Sequence, residues 1–348
     1  MPLRRVAEFM TNVWLFPDGH LQARSYGKVI LTGEHAVVHG TTALVTAVDA
    51  GAICTIHPGQ PGTYVFRYPA LKQEHGFTAT ELTRQRHQIE ERYSRFLKGK
   101  SPVTTVLEQP SQLVEYACCH PFTDTALAQG GCTVCVRSEI PVGCGMGSSA
   151  AVAVAVLRAV CALHHISVDQ KQLFEWALQV ECLQHGHPSG IDPWVAIHGG
   201  VQRYSRNGQP APLSIPAFPF TLVHTGTPES TTGECVSHVG QTASPAVWPV
   251  FNKLEQRMEQ ALLKQDFREL RACVRENHRL LCSLGVVPDP VAAFIHDVES
   301  RGSAAKICGA GAIRGKPAGV VWAVDNTLPD DLYQKYGYRI LECGRESK

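Results

Sequence analysis

Three glycines at alternate positions, Gly143, Gly145 and Gly147, run into Ser148-Ser149 and then into an unbroken Ala/Val/Leu segment ending at Leu157. Glycine lets a backbone turn its amides inward at positive φ and lets a ligand come close. Serine is a good N-cap, and the Ala-rich run behind the pair favours helix apart from its valines. Residues 141–157 therefore read as a loop of free N–H groups at the positive end of a buried helix, a geometry that binds phosphate. This is not the G-x-G-x-x-G loop of dinucleotide binding, whose third glycine would have to stand at Ser148. Nor is it a Walker A loop, since no Lys follows the glycines. A glycine turn that only joins strand to helix is the plainer reading of this stretch alone. Two further stretches, 27–40 and 185–200, weigh against it.

In the first of these, Lys28 and Glu34-His35 bracket Val29-Ile30-Leu31, a short buried strand bounded by Gly27 and Gly33. In the second, the tight turn Pro188-Ser189-Gly190 delivers Asp192 between Ile191 and Pro193-Trp194. Asp192 is either a turn or capping residue or a partly buried carboxylate whose pKa its surroundings control. Glu181 lies near the C-terminal end of a helix expected over 170–185 and capped by Asp169, where the helix dipole disfavours a negative charge. A carboxylate placed there calls for a partner, either a cation or His185 one turn on. Phe174, Ala177, Leu178 and Cys182 would form the apolar stripe of that helix.

The elements that must hold these residues can be read in order. Residues 1–24 are a lead-in with a turn at Pro17-Asp18-Gly19, and 43–57 run apolar as paired strands would. Residues 78–100 read as a solvated helix with loops, 107–119 as a helix on the sheet, and 131–140 as a strand feeding the glycine loop. A helix over 150–163 follows. The turn cluster at 208–212 marks a lobe boundary, and a strand over 220–224 leads into the hydroxyl-rich loop 225–233, which contains Thr231. Two amphipathic helices fill 246–283, with Val250, Leu254, Met258 and Leu262 on the buried side. A helix over 289–301, a glycine-bearing turn over 306–319, a strand over 320–324 and a strand over 338–343 complete the chain.

Three ordered blocks, 27–40, 141–151 and 188–192, closely resemble the GHMP small-molecule kinase superfamily. The first, GKVILTGEHAVVHG, resembles the mevalonate kinase branch most. A galactokinase would read more like R-x-N-L-I-G-E-H-x-D-Y there, and a homoserine kinase lacks the Glu-His pair. The resemblance is good over residues 25–235 and weak beyond. It implies an α+β fold of two lobes: a ribosomal-protein-like lobe over 1–210 carrying the phosphate loop, and a ferredoxin-like lobe over 211–348 closing the active-site cleft. It implies ATP as co-substrate, Mg²⁺, and phosphorylation of the primary hydroxyl of mevalonate. By the same resemblance Gly143, Gly145, Met146, Gly147, Ser148 and Ser149 would hold the ATP phosphates, and Ser149 and Glu181 the Mg²⁺. Asp192 would accept the proton of the substrate hydroxyl with Lys28 as its charged partner, and Glu34, His35 and Thr231 would lie with those two at the substrate. Three departures stand out: Tyr26 where Pro is usual, Pro193 where Asn is common, and a third motif, normally K-x-T-G-A-G-G-G-G, that reads KICGAGAIRG over 306–315. Rival readings are a phosphomevalonate, sugar or amino-alcohol kinase, and a non-catalytic metabolite sensor on the same fold.

Composition bounds the rest. The chain has 348 residues, a net charge of +1, 44% hydrophobic and 18% charged residues, which argues for an ordinary globular protein and against nucleic-acid or anionic-membrane partners. No apolar run reaches the ~18 residues of a membrane span, and the N-terminus lacks the sustained apolar region of a signal peptide. Thirteen cysteines, an odd number, suit reduced thiols and a cytoplasmic location better than a disulfide framework. The single CxxC, Cys132–Cys135, falls in a strand where the two residues face opposite ways, and His35 and His39 lack a third ligand, so no transition-metal site is expected. Whether the chain forms a homodimer is left open by the sequence.

Overall fold

The computed structural model describes residues 4–5, 12–206, 208 and 210–343. Residues 1–3 and 6–11 of the N-terminal lead-in, and Gln209 of the turn at 208–212, lie outside them. The chain groups into two units that interleave along the sequence. One comprises Met1–Tyr26, Gly51–Glu139 and Gly147–Ile197, the other Gly27–Ala50, Ile140–Met146 and His198–Lys348. A single division at 210/211 keeps 27–50 and 140–146 with the first lobe, whereas by compactness these stretches group with 198–348.

In the first unit, β1 (Arg4–Arg5), β2 (Val13–Leu15) and the early part of β3 (Leu21–Thr32) pair antiparallel. The residues expected to form paired strands over 43–57 instead make one continuous strand, β4 (Thr42–Pro58). A hairpin of β5 (Thr63–Tyr68) and β6 (Gln73–Thr78), not foreseen from sequence, follows. Then come α1 (Ala79–Leu97), α2 (Ser111–Cys119), α3 (Asp124–Gln129) and β7 (Cys132–Ser138). β7 lies between the second half of β4, antiparallel, and β5, parallel. Tyr64, Phe66, Cys132, Val134 and Val136 are buried at alternate positions, so this sheet presents one apolar face. α4 (Ser148–Leu163) packs on α2, on β7 and on α5 (Gln170–His185), and α6 (Ile191–His198) completes the unit. A helix walled in by neighbours is apolar all round. α4 is buried at every position from Ala153 to Ala162, and its one charged residue there, Arg158, donates to the carbonyls of Arg24 and Ile197.

In the second unit, β8 (Val201–Ser205) pairs with the first half of β4, and β9 (Ala211–Leu213) pairs with β8. β10 (Thr221–Gly226) is followed by four helices: α7 (Thr232–Thr242), α8 (Trp248–Leu263), α9 (Phe267–Ser283) and α10 (Asp289–Ser300). β11 (Ala305–Cys308), β12 (Gly319–Ala323), α11 (Asp330–Gln334) and β13 (Arg339–Ile340) close the chain. The four last strands form an antiparallel sheet in the order β11-β12-β10-β13. Its core joins Ile307, Val321 and Ala323 to Phe251, Leu281, Phe294 and Val298 of the helices. Two local readings change. Val250 is 38% exposed and Phe251 takes its place in the core, and the last strand is shorter than 338–343. The α+β class expected from sequence is the class observed.

Candidate active site

Gly143, Gly145 and Gly147 take φ of 73°, 82° and 71°, the left-handed region closed to most side chains. Between them Cys144 and Met146 are each 1% exposed, so the loop alternates open glycines with buried anchors. At Gly145 the φ calls for glycine, and a Cβ there would also stand a tight 3.3 Å from the Cys308 carbonyl oxygen. Lys28 holds the same loop twice: its N–H donates to the Met146 carbonyl at 2.9 Å and its ammonium to the Gly145 carbonyl at 2.9 Å. The N-cap of α4 is Gly147, with no side-chain cap, and Ser148 and Ser149 sit in the first helical turn. The serines therefore do not cap the helix as expected; a left-handed residue ahead of them makes the entry. The first N–H groups of the helix have no intrahelical acceptor, and the dipole adds to their attraction for an anion.

Ser149 and Glu181 converge within the first unit. The Ser149 hydroxyl lies 3.4 Å from His185 Nε2, and the same nitrogen lies 3.7 Å from Glu181 Oε2. Glu181 is 1% exposed. His185 is thus a partner of Glu181, as one of the two readings held. A hydroxyl and a carboxylate flanking one point are also hard oxygen donors of the kind Mg²⁺ takes, so the residues present fit that ion. The burial of Glu181 also rotates α5 from its expected phase: Leu173, Ala177, Val180 and Glu181 face inward, while Phe174, Leu178 and Cys182 are only half-buried. Phe174 instead meets the edge of Trp194, with ring centroids 5.6 Å apart. Asp192 is the second residue of α6, half-buried, where the helix N-terminus favours its negative charge. Gly190, at φ 88°, turns the chain into that helix.

In the second unit Glu34 and His35 follow β3 and are 1% and 5% exposed. Glu34 accepts a hydrogen bond from the ammonium of Lys306, which also donates to the Ile30 carbonyl at 3.1 Å. Burial pushes the Glu34 carboxyl up, and the charge of Lys306 opposes that shift. Burial pushes His35 down to about 4, so the ring is neutral near pH 7. Its Nε2 lies 3.0 Å from the Ala310 carbonyl and must carry the hydrogen, which leaves Nδ1 as an acceptor. Sequence reasoning missed Lys306 as a site residue. Its signal was its place as the lysine that opens the third glycine motif.

Thr231 is the N-cap of α7 and forms a capping box with Glu234. Glu234 also pairs with Arg314 at 2.7 Å, and the N–H groups of Ile313 and Arg314 donate to the Ser230 hydroxyl at 3.1 and 3.2 Å. The backbone N–H of Thr231, followed by Arg314, draws the Glu234 carboxyl down to about 2. The altered part of the third motif is therefore tied to the start of α7.

Residues 113–200 match the family described as GHMP kinases N terminal domain. The mevalonate kinase of Thermococcus sibiricus is 30% identical over 301 residues, covering 83% of this chain and 86% of that protein. Among solved structures, mevalonate kinase from Methanococcus jannaschii superposes with a TM-score of 0.77 at 19% identity, covering 95% of this chain and 100% of that one. L. major mevalonate kinase in complex with R-mevalonate gives a TM-score of 0.63 at 22% identity, covering 91% of this chain and 90% of that one. At these identities the structural matches speak for the fold.

Proposed function

Because the chain belongs to the mevalonate kinase family of GHMP kinases, we propose that it catalyses ATP + (R)-mevalonate → ADP + 5-phosphomevalonate. The observation that carries phosphoryl transfer is the loop of three left-handed glycines opening α4, held by Lys28. Such transfer is mostly positioning and charge neutralisation, so few groups are needed. Gly143, Gly145, Met146, Gly147, Ser148 and Ser149 bind the nucleotide phosphates, chiefly through main-chain N–H groups. Ser149 and Glu181 would hold Mg²⁺, which when bound neutralises phosphate charge. Asp192 accepts the proton as the primary hydroxyl attacks, and Lys28 supplies positive charge that favours the developing alkoxide. Glu34, His35 and Thr231 orient the acceptor. The choice of mevalonate rests on the relatives, which are mevalonate kinases.

A coupled ADP-release assay with mevalonate, phosphomevalonate, galactose and homoserine as acceptors tests this reading. Turnover is expected with mevalonate. Turnover of another acceptor with none for mevalonate overturns the choice, and no turnover of any acceptor overturns the kinase reading.

A further inference from the structure

The acid and the imidazole that follow β3 are gripped from the far end of the chain. Lys306, 272 residues beyond Glu34, is completely buried, and its ammonium bonds the Glu34 carboxylate and the Ile30 carbonyl. Ala310, four residues past Lys306, supplies the carbonyl that fixes the His35 ring. Part of the hydrogen-bonding capacity of this stretch is unused: Glu34 Oε2, His35 Nδ1 and Thr32 Oγ1 are buried with no hydrogen-bond partner among the described residues. Native interiors rarely leave such atoms unpaired, so several in four consecutive residues point to a polar guest.

A fully buried ion pair is a weak source of stability, because desolvating two charges offsets most of their attraction. The pair at Glu34 and Lys306 therefore needs another reason. Without a cation at hand a buried glutamate takes up a proton and can no longer accept on both oxygens. Lys306 occupies Oε1 and opposes that uptake, leaving Oε2 as the acceptor.

We propose that Lys306 is a positioning residue for the acceptor alcohol: it fixes the Glu34 carboxylate by charge and hydrogen bond so that Oε2 receives a hydrogen bond from an acceptor hydroxyl. The third glycine motif, altered after its Gly-Ala-Gly core, thereby acts on acceptor recognition through residues 34 and 35. The inference rests on the phosphotransfer reading, in which Glu34 and His35 face the acceptor. The charged and titratable groups around the pair are Lys28 and Cys308 beside Glu34, His278 beside Lys306, and His39 and His238 beside His35.

The test compares Lys306→Met, Glu34→Gln and the double variant with the wild type, reading kcat and KM for acceptor and ATP, the pH profile, and Tm. Lys306→Met should raise the acceptor KM about tenfold or more, leave the ATP KM within about twofold, and move the acid limb of acceptor kcat/KM upward by about one pH unit or more. Glu34→Gln should match the KM defect, and the double variant should be no worse than Glu34→Gln. If Lys306→Met does not fold, the double variant, which strands no charge, carries the comparison. A Lys306→Met enzyme with lowered Tm but unchanged acceptor KM and acid limb, or a double variant clearly worse than Glu34→Gln, overturns the inference. Wild-type turnover in the same assay reports on the phosphotransfer reading by itself.

Discussion

Asp192→Asn keeps the size of the residue at the start of α6 and removes its negative charge and its ability to take a proton. If that carboxylate accepts the hydroxyl proton, turnover falls by about 10²–10⁴-fold with the ATP KM little changed, as steady-state kinetics will show. Two buried histidines give a second expectation at this scale. Burial pushes His35 and His278 down to about 4 from an ordinary 6.5. Between those values the unfolded chain binds protons there that the folded chain refuses, so stability rises with pH across the window and is lost as pH falls from 6.5 toward 4. Thermal melts at pH 7, 6 and 5 should show Tm declining, and His278→Leu should remove part of that slope.

At the scale of the element, Thr231 gives the sharpest case. Its hydroxyl accepts the N–H of Glu234 at 3.2 Å and so closes the first turn of α7. Thr231→Ala should destabilise the protein by about 1 kcal/mol, read by denaturant unfolding, and Thr231→Ser should restore it. Elements with strong local signals were legible in the sequence. α5 begins and ends where Asp169 and the apolar spacing say it should. What failed was its phase: apolar spacing alone favours Phe174, Leu178 and Cys182, whereas the buried face runs through Leu173, Ala177, Val180 and the charged Glu181, which no apolar count includes. The hairpin of β5 and β6 was illegible for a related reason: Arg67, Glu74 and His75 interrupt its apolar pattern. β11 hid because one of its four residues is a lysine, and nothing local reveals that the lysine's partner lies at position 34. Val250 and Phe251 were nearly equivalent by helical spacing, and the larger ring took the core. Of the candidate site, the glycine loop was visible outright, whereas the hold of Lys28 on it depends on β3 meeting that loop across more than a hundred residues.

Across the molecule, the cysteine count has a direct chemical consequence. All thirteen thiols are free, and only Cys282 is exposed. Even the close pair Cys118 and Cys132, with sulfurs 4.0 Å apart, is two hydrogen-bonded thiols. A thiol titration in denaturant without reductant should therefore count thirteen groups, while in the folded protein Cys282 should react first. Among the described residues no helix is long and apolar enough to cross a membrane.

The double grip of Lys28 on the carbonyls of Gly145 and Met146 reaches further than geometry. A receptor whose shape is settled beforehand surrenders little freedom when its guest arrives, so more of the intrinsic attraction survives as affinity. Nucleotide capture by such a cradle should proceed in one kinetic phase, its speed governed by encounter and ionic strength, with no slower ordering of the cradle ahead of it.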